Sequence, residues 1–176
     1  RTKEDVKEEN KNFELPNLNI KIHELTFLTK EEEELYEEKY KEMQKKMKEL
    51  KKTLGNQSIM YALEMLLRAR QICCHPQCFI DGMRKKNKRD DIRETTLDWE
   101  SKTTKLEFVR QSIREQPDED KTLIFCHFIK EMDMYYNELV KDGHEVLRID
   151  GRIEIEERDE IVQQFRTKNV DCTKLI

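Results

Sequence analysis

The chain has 176 residues, of which 41% are charged and 36% are hydrophobic, so its length suits one domain plus part of another. The charged fraction is typical of long, solvated helices that carry many ion pairs. Asp and Glu number 38 against 34 for Lys and Arg, and the net charge of -4 excludes a global attraction to nucleic acid, so any DNA contact must be local.

The cysteines and the hydropathy pattern predict the compartment. The chain has five cysteines, an odd number that includes the adjacent pair Cys73 and Cys74, which argues against a disulfide framework and for a reducing environment. No apolar run approaches the ~20 residues that span a bilayer, and the charged first ten residues do not resemble a signal peptide. We therefore expect an intracellular protein with no membrane partner.

The N-terminal part predicts a strand and then the start of a helix. Alternating apolar residues at Leu18, Ile20 and Ile22 predict a strand with one buried face. Thr29 and Glu32 form a capping box, so a helix is expected to begin near residue 30.

Two apolar faces predict a helical hairpin over residues 29–82, preceded by a linker and strand at 1–28. The first helix has a seam with alternating spacings of four and three, at Tyr36, Tyr40, Met43, Met47, Leu50 and Leu54. The second helix follows a break at 55–57 and a cap at Ser58, and it is expected to end at Pro76. Its apolar face comprises Ile59, Leu63, Leu66, Leu67 and Ile72.

A charged connector is predicted at 83–98, because residues 83–95 are almost wholly polar and too hydrophilic to pack. Its basic run, 84–89, is interpreted as a solvated loop in preference to a nuclear-import signal or a phosphate contact. Ser101 then caps a helix with one apolar face, formed by Leu106, Val109 and Ile113.

Residues 99–176 are predicted as a truncated parallel α/β lobe, which makes the fold class α/β. TLIFC after Lys121 suits a fully buried strand, EVLRI suits a second and TKLI a third. The helix between the first two strands covers 129–140 and ends at Gly143, and Gly151 turns the chain into the next helix. The alternation of strands and helices is the sequence form of parallel, right-handed crossovers.

Several blocks of sequence occur in a recognisable order. They are RTK at Arg1–Lys3, ELP at Glu14–Pro16, LLRARQICCHP at Leu66–Pro76, SKTTKLEFV from Ser101, KTLIFCHF from Lys121 and VLRIDGRIEIEERDEIVQQF at Val146–Phe165. In the last block a glycine, an arginine and a phenylalanine recur at fixed offsets, here Gly151, Arg158 and Phe165. Together the blocks resemble the Swi/Snf-type helicase-like ATPases, which are DNA translocases of helicase superfamily 2.

The resemblance implies a helical insertion followed by the first part of the second RecA-like lobe, of the P-loop NTPase type. The full-length protein would be an ATP-dependent translocase that uses ATP and Mg²⁺ and binds double-stranded DNA through its phosphate backbone. It would act in chromatin remodelling, repair or transcription, in the nucleus or at a viral replication site. No G-x-x-x-x-G-K-[ST] loop, glycine-rich motif five or arginine-bearing motif six occurs in the chain. We therefore expect this segment, without the first RecA-like lobe, to bind no cofactor and to hydrolyse no ATP.

The DNA-backbone site is expected at Cys126, His127, Gly151, Arg152 and Arg158. Cys126 and His127 end the first strand of the lobe, where open α/β sheets place ligands, and the resemblance implies a DNA contact there although Ser and Gln are the commoner pair. Gly151 allows close approach of a phosphate, which Arg152 or Arg158 would neutralise. The alternatives are ion pairs in solvent, of Arg158 with Glu154 or of Arg152 with Glu154 or Glu156.

A metal site at Cys73, Cys74, His75 and Cys78 is the weaker interpretation of that cluster. Thiolates and an imidazole can satisfy tetrahedral positions, but adjacent cysteines project about 100° apart on a helix. A helix end packed on the second lobe is favoured instead. The zinc-binding RING module of some relatives is absent, because residues 79–100 hold no cysteine or histidine.

Two other functions compete with the translocase. The hairpin with its apolar seam would serve as a protein-interaction module, with the α/β part as a scaffold. A small-molecule enzyme on a Rossmann-like sheet ranks last, because no G-x-G-x-x-G follows a predicted strand.

Overall fold

The computed structural model describes residues 18–54, 58–89, 98–117, 120–167 and 173–175. The helices are α1 (Lys30–Leu54), α2 (Ser58–Cys74), α3 (Pro76–Arg89), α4 (Thr104–Arg114), α5 (Ile129–Lys141) and α6 (Ile155–Thr167). The strands are β1 (Thr122–Leu123), β2 (Glu145–Leu147) and β3 (Thr173–Leu175). No helix within the described ranges is long and apolar enough to cross a membrane.

The described residues before α1, 18–27, form no strand, so that prediction is wrong. Leu18, Ile20 and Ile22 are largely exposed, because no described strand lies beside residues 18–27 to complete a sheet. The segment is held at its end instead, where the Leu28 N–H donates to the Thr104 hydroxyl over 2.8 Å. A local alternation predicts a strand only where a partner strand is present.

The start of α1 is confirmed at Lys30, and half of the predicted capping box is formed. The Thr29 hydroxyl accepts the Glu32 N–H over 3.3 Å. The Glu32 carboxylate does not complete the box, because it lies against α4: its Oε2 accepts the Thr104 N–H over 2.9 Å and the Thr104 hydroxyl over 2.6 Å. The residue predicted to cap its own helix thus caps another one.

Helices α1 and α2 pack against each other, but α2 buries a different face from the predicted one. The predicted residues Ile59, Leu63, Leu66 and Leu67 are all exposed. Burial follows Ala62, Met65, Ala69 and Ile72, at spacings of three, four and three. The helix is apolar on more than one side, and small alanines let a neighbouring backbone approach closely, so the sequence pattern alone did not select the face.

Pro76 begins α3 and does not simply end α2, since proline is favoured at the first helical position. The connector prediction is therefore wrong for 83–89, which continue α3, while 90–97 lie outside the described residues. Ion pairs accommodate the charged run as a helix. Arg84 lies 2.6 Å from Asp98, and Lys86 lies 2.7 Å from Glu64.

The N-cap residue of α4 is Thr103, two residues after the predicted cap Ser101. The Thr103 side chain makes no capping hydrogen bond. The Thr104 N–H at the start of α4 donates to the Glu32 carboxylate instead. The predicted core face is confirmed, with Leu106 and Ile113 buried and Val109 packed against them.

The three strands form a parallel sheet in the order β1-β3-β2, which confirms the parallel prediction. The strands have only two or three residues each, so most of TLIFC lies outside β1. Full burial of that run is also wrong: Phe125 is 92% exposed, while Ile124 and Cys126 pack against the core. At this position no described residue covers the second face of the sheet.

The core of the lobe lies between α4, α5 and one face of the sheet. Its buried members are Leu106, Ile113, Met132, Tyr135 and Leu139. The predicted helix end is confirmed: Gly143 has a φ of +89°, which glycine adopts at little cost, and the His144 N–H donates to the Leu139 carbonyl.

Helices α4 and α5 are also joined by a bidentate ion pair. Arg110 Nε and Nη2 lie 2.7 and 2.6 Å from the two oxygens of Asp142, and this contact holds the pKa of Asp142 down at about 2. Asp142 caps the carboxyl end of α5, where a negative charge opposes the helix dipole, so Arg110 also compensates that cost.

We expect Asp142→Asn to lower the free energy of unfolding by about 2 kcal/mol at neutral pH, the usual size of a charge-assisted hydrogen bond. Because folding depresses the Asp142 pKa, the carboxylate stabilises the fold above the unfolded pKa, 3.8, and loses this effect as pH falls through about 2. The difference between wild type and variant in urea unfolding should therefore shrink between pH 4 and pH 2. A constant difference across that range would contradict the assignment.

Candidate nucleic-acid interface

The predicted DNA-binding residues lie at one edge of the sheet. Residues 126 and 127 follow β1, and residues 151 and 152 follow β2, and the parallel strands bring their carboxyl ends to the same edge. The two strands were expected to be neighbours in the sheet. That prediction is wrong, because β3 lies between them. At ~4.8 Å between adjacent strands, β1 and β2 are about 10 Å apart.

His127 is the outward side chain after β1. Its side chain is exposed, and its backbone N–H donates to Glu131 Oε2 over 3.0 Å. Glu131 is buried in the first turn of α5, where a carboxylate suits the helix dipole. Cys126 packs inward against the core, and burial raises the pKa of its thiol to about 12. The Cys126 side chain is therefore a neutral core group, which leaves the backbone of this residue for any surface contact.

Arg152 is exposed and belongs to a network with Asp150, Arg148 and Asp133. Asp150 makes hydrogen bonds of 2.6 and 2.9 Å to the Arg152 guanidinium and one of 2.8 Å to the Arg148 Nε–H. Asp133 Oδ1 lies 2.6 Å from Arg148 Nη2, as an ion pair without hydrogen-bond alignment, and 3.6 Å from Arg152 Nη2. The four charges cancel. Arg152 pairs with Asp150 and Asp133 and not with Glu154 or Glu156, the expected alternative partners.

Gly151 and Arg158 have different roles around this turn. A Cβ built on Gly151 meets no atom within 4 Å, so the space beside its backbone is open. Arg158 is half-buried, and its Nε–H donates to the Ile153 carbonyl over 2.8 Å. Arg158 thus holds the turn that precedes α6, and the expected ion pair with Glu154 is not formed.

Residues 104–175, which include every residue of this edge, match the family described as the helicase conserved C-terminal domain. This part of the chain is similar to the helicase C-terminal domains of that family. The match indicates the helicase superfamily, a RecA-like fold and a nucleic-acid-related function. No curated protein gives a significant match to the chain.

The match begins at the first residue of α4, so α1 to α3 precede the helicase C-terminal domain. The described part of the matched region contains one sheet of three short strands. The two partly buried hydrogen bonds that Thr104 donates to Glu32 therefore join the hairpin to the first residue of the matched region.

The cysteine and histidine cluster has the chemistry of a packed helix junction. Cys74, His75 and Cys78 are buried and Cys73 is exposed. Burial raises the pKa of Cys74 to about 11 and that of Cys78 to about 12, and it lowers the pKa of His75 to about 4. The thiols are protonated at neutral pH, and His75 Nδ1 accepts the Gln77 N–H. Among the described residues, no group of three or more potential ligands could hold a metal ion.

The acidic residues of the edge were not predicted as part of the site. A local signal was present for Asp150, because an Asp side chain in a turn often accepts a hydrogen bond from the backbone N–H two residues later. Here Asp150 accepts the Arg152 N–H. Asp133 and Arg148 had no local signal, because they come from different elements that only the folded domain brings together.

Proposed function

We propose that this chain is part of an ATP-driven translocase of the Swi/Snf type that moves on double-stranded DNA. The observation that carries the proposal is the edge of the helicase C-terminal domain at which exposed His127 and Arg152 and the open backbone of Gly151 follow the carboxyl ends of parallel strands. Ligands of open α/β sheets bind at this edge. The helicase domain family generally binds nucleic acid, which agrees with a ligand there.

The DNA phosphate backbone is the ligand that suits this edge. A histidine side chain, a glycine turn and a guanidinium can all donate hydrogen bonds to phosphate oxygens. Because these contacts do not read base edges, binding would be independent of sequence and would depend on salt. The net charge of -4 also favours a local contact over a broad basic surface.

We expect Arg152→Ala to weaken duplex binding by the full-length protein about equally for all sequences, and to reduce the slope of log affinity against log salt by about one. Arg166→Ala is the matched control, since Arg166 is exposed beside Lys121, which precedes β1 at the opposite edge of the sheet. DNA binding at several salt concentrations, with DNA-stimulated ATPase activity, measures the effect. An unchanged slope and unchanged stimulation for Arg152→Ala would remove Arg152 from the site.

We assign the ATP and Mg²⁺ sites to a first RecA-like lobe elsewhere in the full-length protein, because the sequence contains no phosphate-binding loop. We therefore expect the purified 176-residue chain to show no DNA-stimulated phosphate release. Turnover that a single substitution within these residues abolishes would overturn this assignment.

The cellular setting belongs to the proposal as well. Four described cysteines, Cys73, Cys74, Cys78 and Cys126, are free thiols, as a reducing compartment favours. A nuclear role in chromatin remodelling, repair or transcription, or a role at a viral replication site, follows from the Swi/Snf resemblance.

The exposed face of α2 favours a second candidate, a protein-interaction module. Its exposed apolar side chains are Ile59, Met60, Tyr61, Leu63, Leu66 and Leu67. Apolar stripes of this kind mark surfaces that bind another protein segment. If Arg152→Ala leaves DNA binding and ATPase stimulation unchanged in a folded protein, the protein-interaction module becomes the better explanation of the chain.

A further inference from the structure

One buried carboxylate organises the exposed Arg152. The Asp150 side chain is 5% exposed, and its Oδ1 accepts the Arg152 backbone N–H over 2.8 Å and the Nε–H over 2.9 Å. Its Oδ2 accepts the Nη2–H over 2.6 Å. The three bonds fold the arginine back over the turn and fix the plane of its guanidinium.

Asp150 is itself held from a second direction. Its Oδ2 also accepts the Arg148 Nε–H over 2.8 Å, and Arg148 Nη2 lies 2.6 Å from Asp133 Oδ1 on α5. Arg148 therefore compensates the charge of Asp150 and ties it to the body of the domain. Because Asp150 is held by Arg148, its carboxylate keeps a fixed position from which it orients the Arg152 guanidinium.

The contact with Asp150 leaves the edge formed by Nη1 and Nη2 without a second hydrogen bond among the described residues, although Asp133 Oδ1 lies 3.6 Å from Nη2. A guanidinium has five N–H donors in a planar fork, and Asp150 takes the edge formed by Nε and Nη2. In the described part of the chain, Arg152 Nη1 has no partner, and the side chain is 56% exposed. The edge formed by Nη1 and Nη2 matches two oxygens of a phosphate in a bidentate geometry.

We propose that Asp150 is a positioning residue that presents the free edge of the Arg152 guanidinium to a backbone phosphate. The proposal rests on the proposed function, because the phosphate is the ligand inferred there. Asp150 acts through Arg152 and does not touch the phosphate.

The loss of the Asp150 carboxylate should change DNA affinity in opposite directions, depending on whether Asp150 acts through its charge or by positioning Arg152. Asp150→Asn and Asp133→Asn each remove one negative charge beside the site, so charge alone predicts tighter DNA binding for both. Positioning predicts that Asp150→Asn weakens binding of a mixed-sequence duplex about tenfold and lowers the salt slope by about one, as Arg152→Ala does. Asp133→Asn should weaken it less than Asp150→Asn does, because it removes a partner of Arg148 but leaves the three bonds from Asp150 to Arg152 in place. Equal effects of the two variants, or tighter binding by Asp150→Asn, would overturn the proposal.

A double-variant comparison separates positioning from a general loss of structure. In a protein that already carries Arg152→Ala, Asp150→Asn should change DNA affinity by less than about twofold, since its only route to the phosphate is gone. A further tenfold loss in that background would show that Asp150 acts through the fold, and it would refute positioning.

The side-chain contact can also be measured without DNA. In protein labelled with ¹⁵N at arginine, the Arg152 Nε–H should exchange slowly with water in the wild type and rapidly in Asp150→Asn. Equally rapid exchange in both proteins would overturn the proposal whatever the DNA affinity. Slow exchange in a wild type with no salt-dependent affinity for duplex would instead remove the proposed function, and the phosphate with it, while showing that the Asp150 contact exists.

Discussion

Leu139→Ala should be the most destabilising of the substitutions considered, with a loss of about 3 kcal/mol in the free energy of unfolding. Leu139 is fully buried on α5, within the cluster that includes Met132 and Tyr135. Truncation removes apolar contacts and leaves a cavity that the surrounding helices and sheet fill only in part. Urea or thermal unfolding of the purified protein measures the loss.

Val140→Ala is the matched control, because Val140 is the next residue of the same helix and is exposed. It should change the free energy of unfolding by less than about 0.5 kcal/mol, and alanine's helix propensity offsets part of any lost contact. Equal losses for the two variants would show that α5 does not pack as described.

Glu32→Ala should destabilise the protein by about 2 kcal/mol, because it removes a buried carboxylate that accepts two charge-assisted hydrogen bonds from the half-buried Thr104. Glu32 is itself buried and lies 72 residues from Thr104, so the loss should reflect detachment of the hairpin from the helicase C-terminal domain. The effect should appear as faster amide exchange at the start of α4, together with a lower free energy of unfolding.

Two variants in the same turn test this explanation. Glu33→Ala removes an exposed carboxylate from the first turn of α1 and should cost less than about 0.5 kcal/mol. Glu32→Gln keeps an acceptor oxygen without the charge and should recover part of the loss. A Glu33→Ala effect as large as that of Glu32→Ala would mean that the charge near the α1 dipole matters and the bond to Thr104 does not.

Local signals in the sequence determined the start of α1, the end of α5 and the order of strands and helices in the lobe. Thr29 caps α1 through a bond that spans three residues, and Gly143 adopts the positive φ that ends α5. The alternation of strands and helices required a parallel sheet, since short crossovers between sequential strands leave few other topologies. Each of these features depends on residues close together in the chain.

The same is true of the candidate site, in part. His127, Gly151 and Arg152 were predicted at one edge of the sheet because parallel strands end on the same side. The sequence did not show that Cys126 faces the core, that Arg158 binds a backbone carbonyl, or that Asp150 holds Arg152. These outcomes depend on which face of β1 is covered and on how the turn after β2 closes.

Only the tertiary structure decided the features that join distant parts of the chain. It placed β3 between β1 and β2, turned α2 so that Ala62 and Ala69 face inward, and brought Glu32 to Thr104. A short stretch of sequence shows its hydrophobic period and its helix caps, but several tertiary packings are compatible with the same pattern. The choice among them is made by the surfaces that meet, because burial, ion pairs across elements and strand pairing contribute free energy only when both partners are in place.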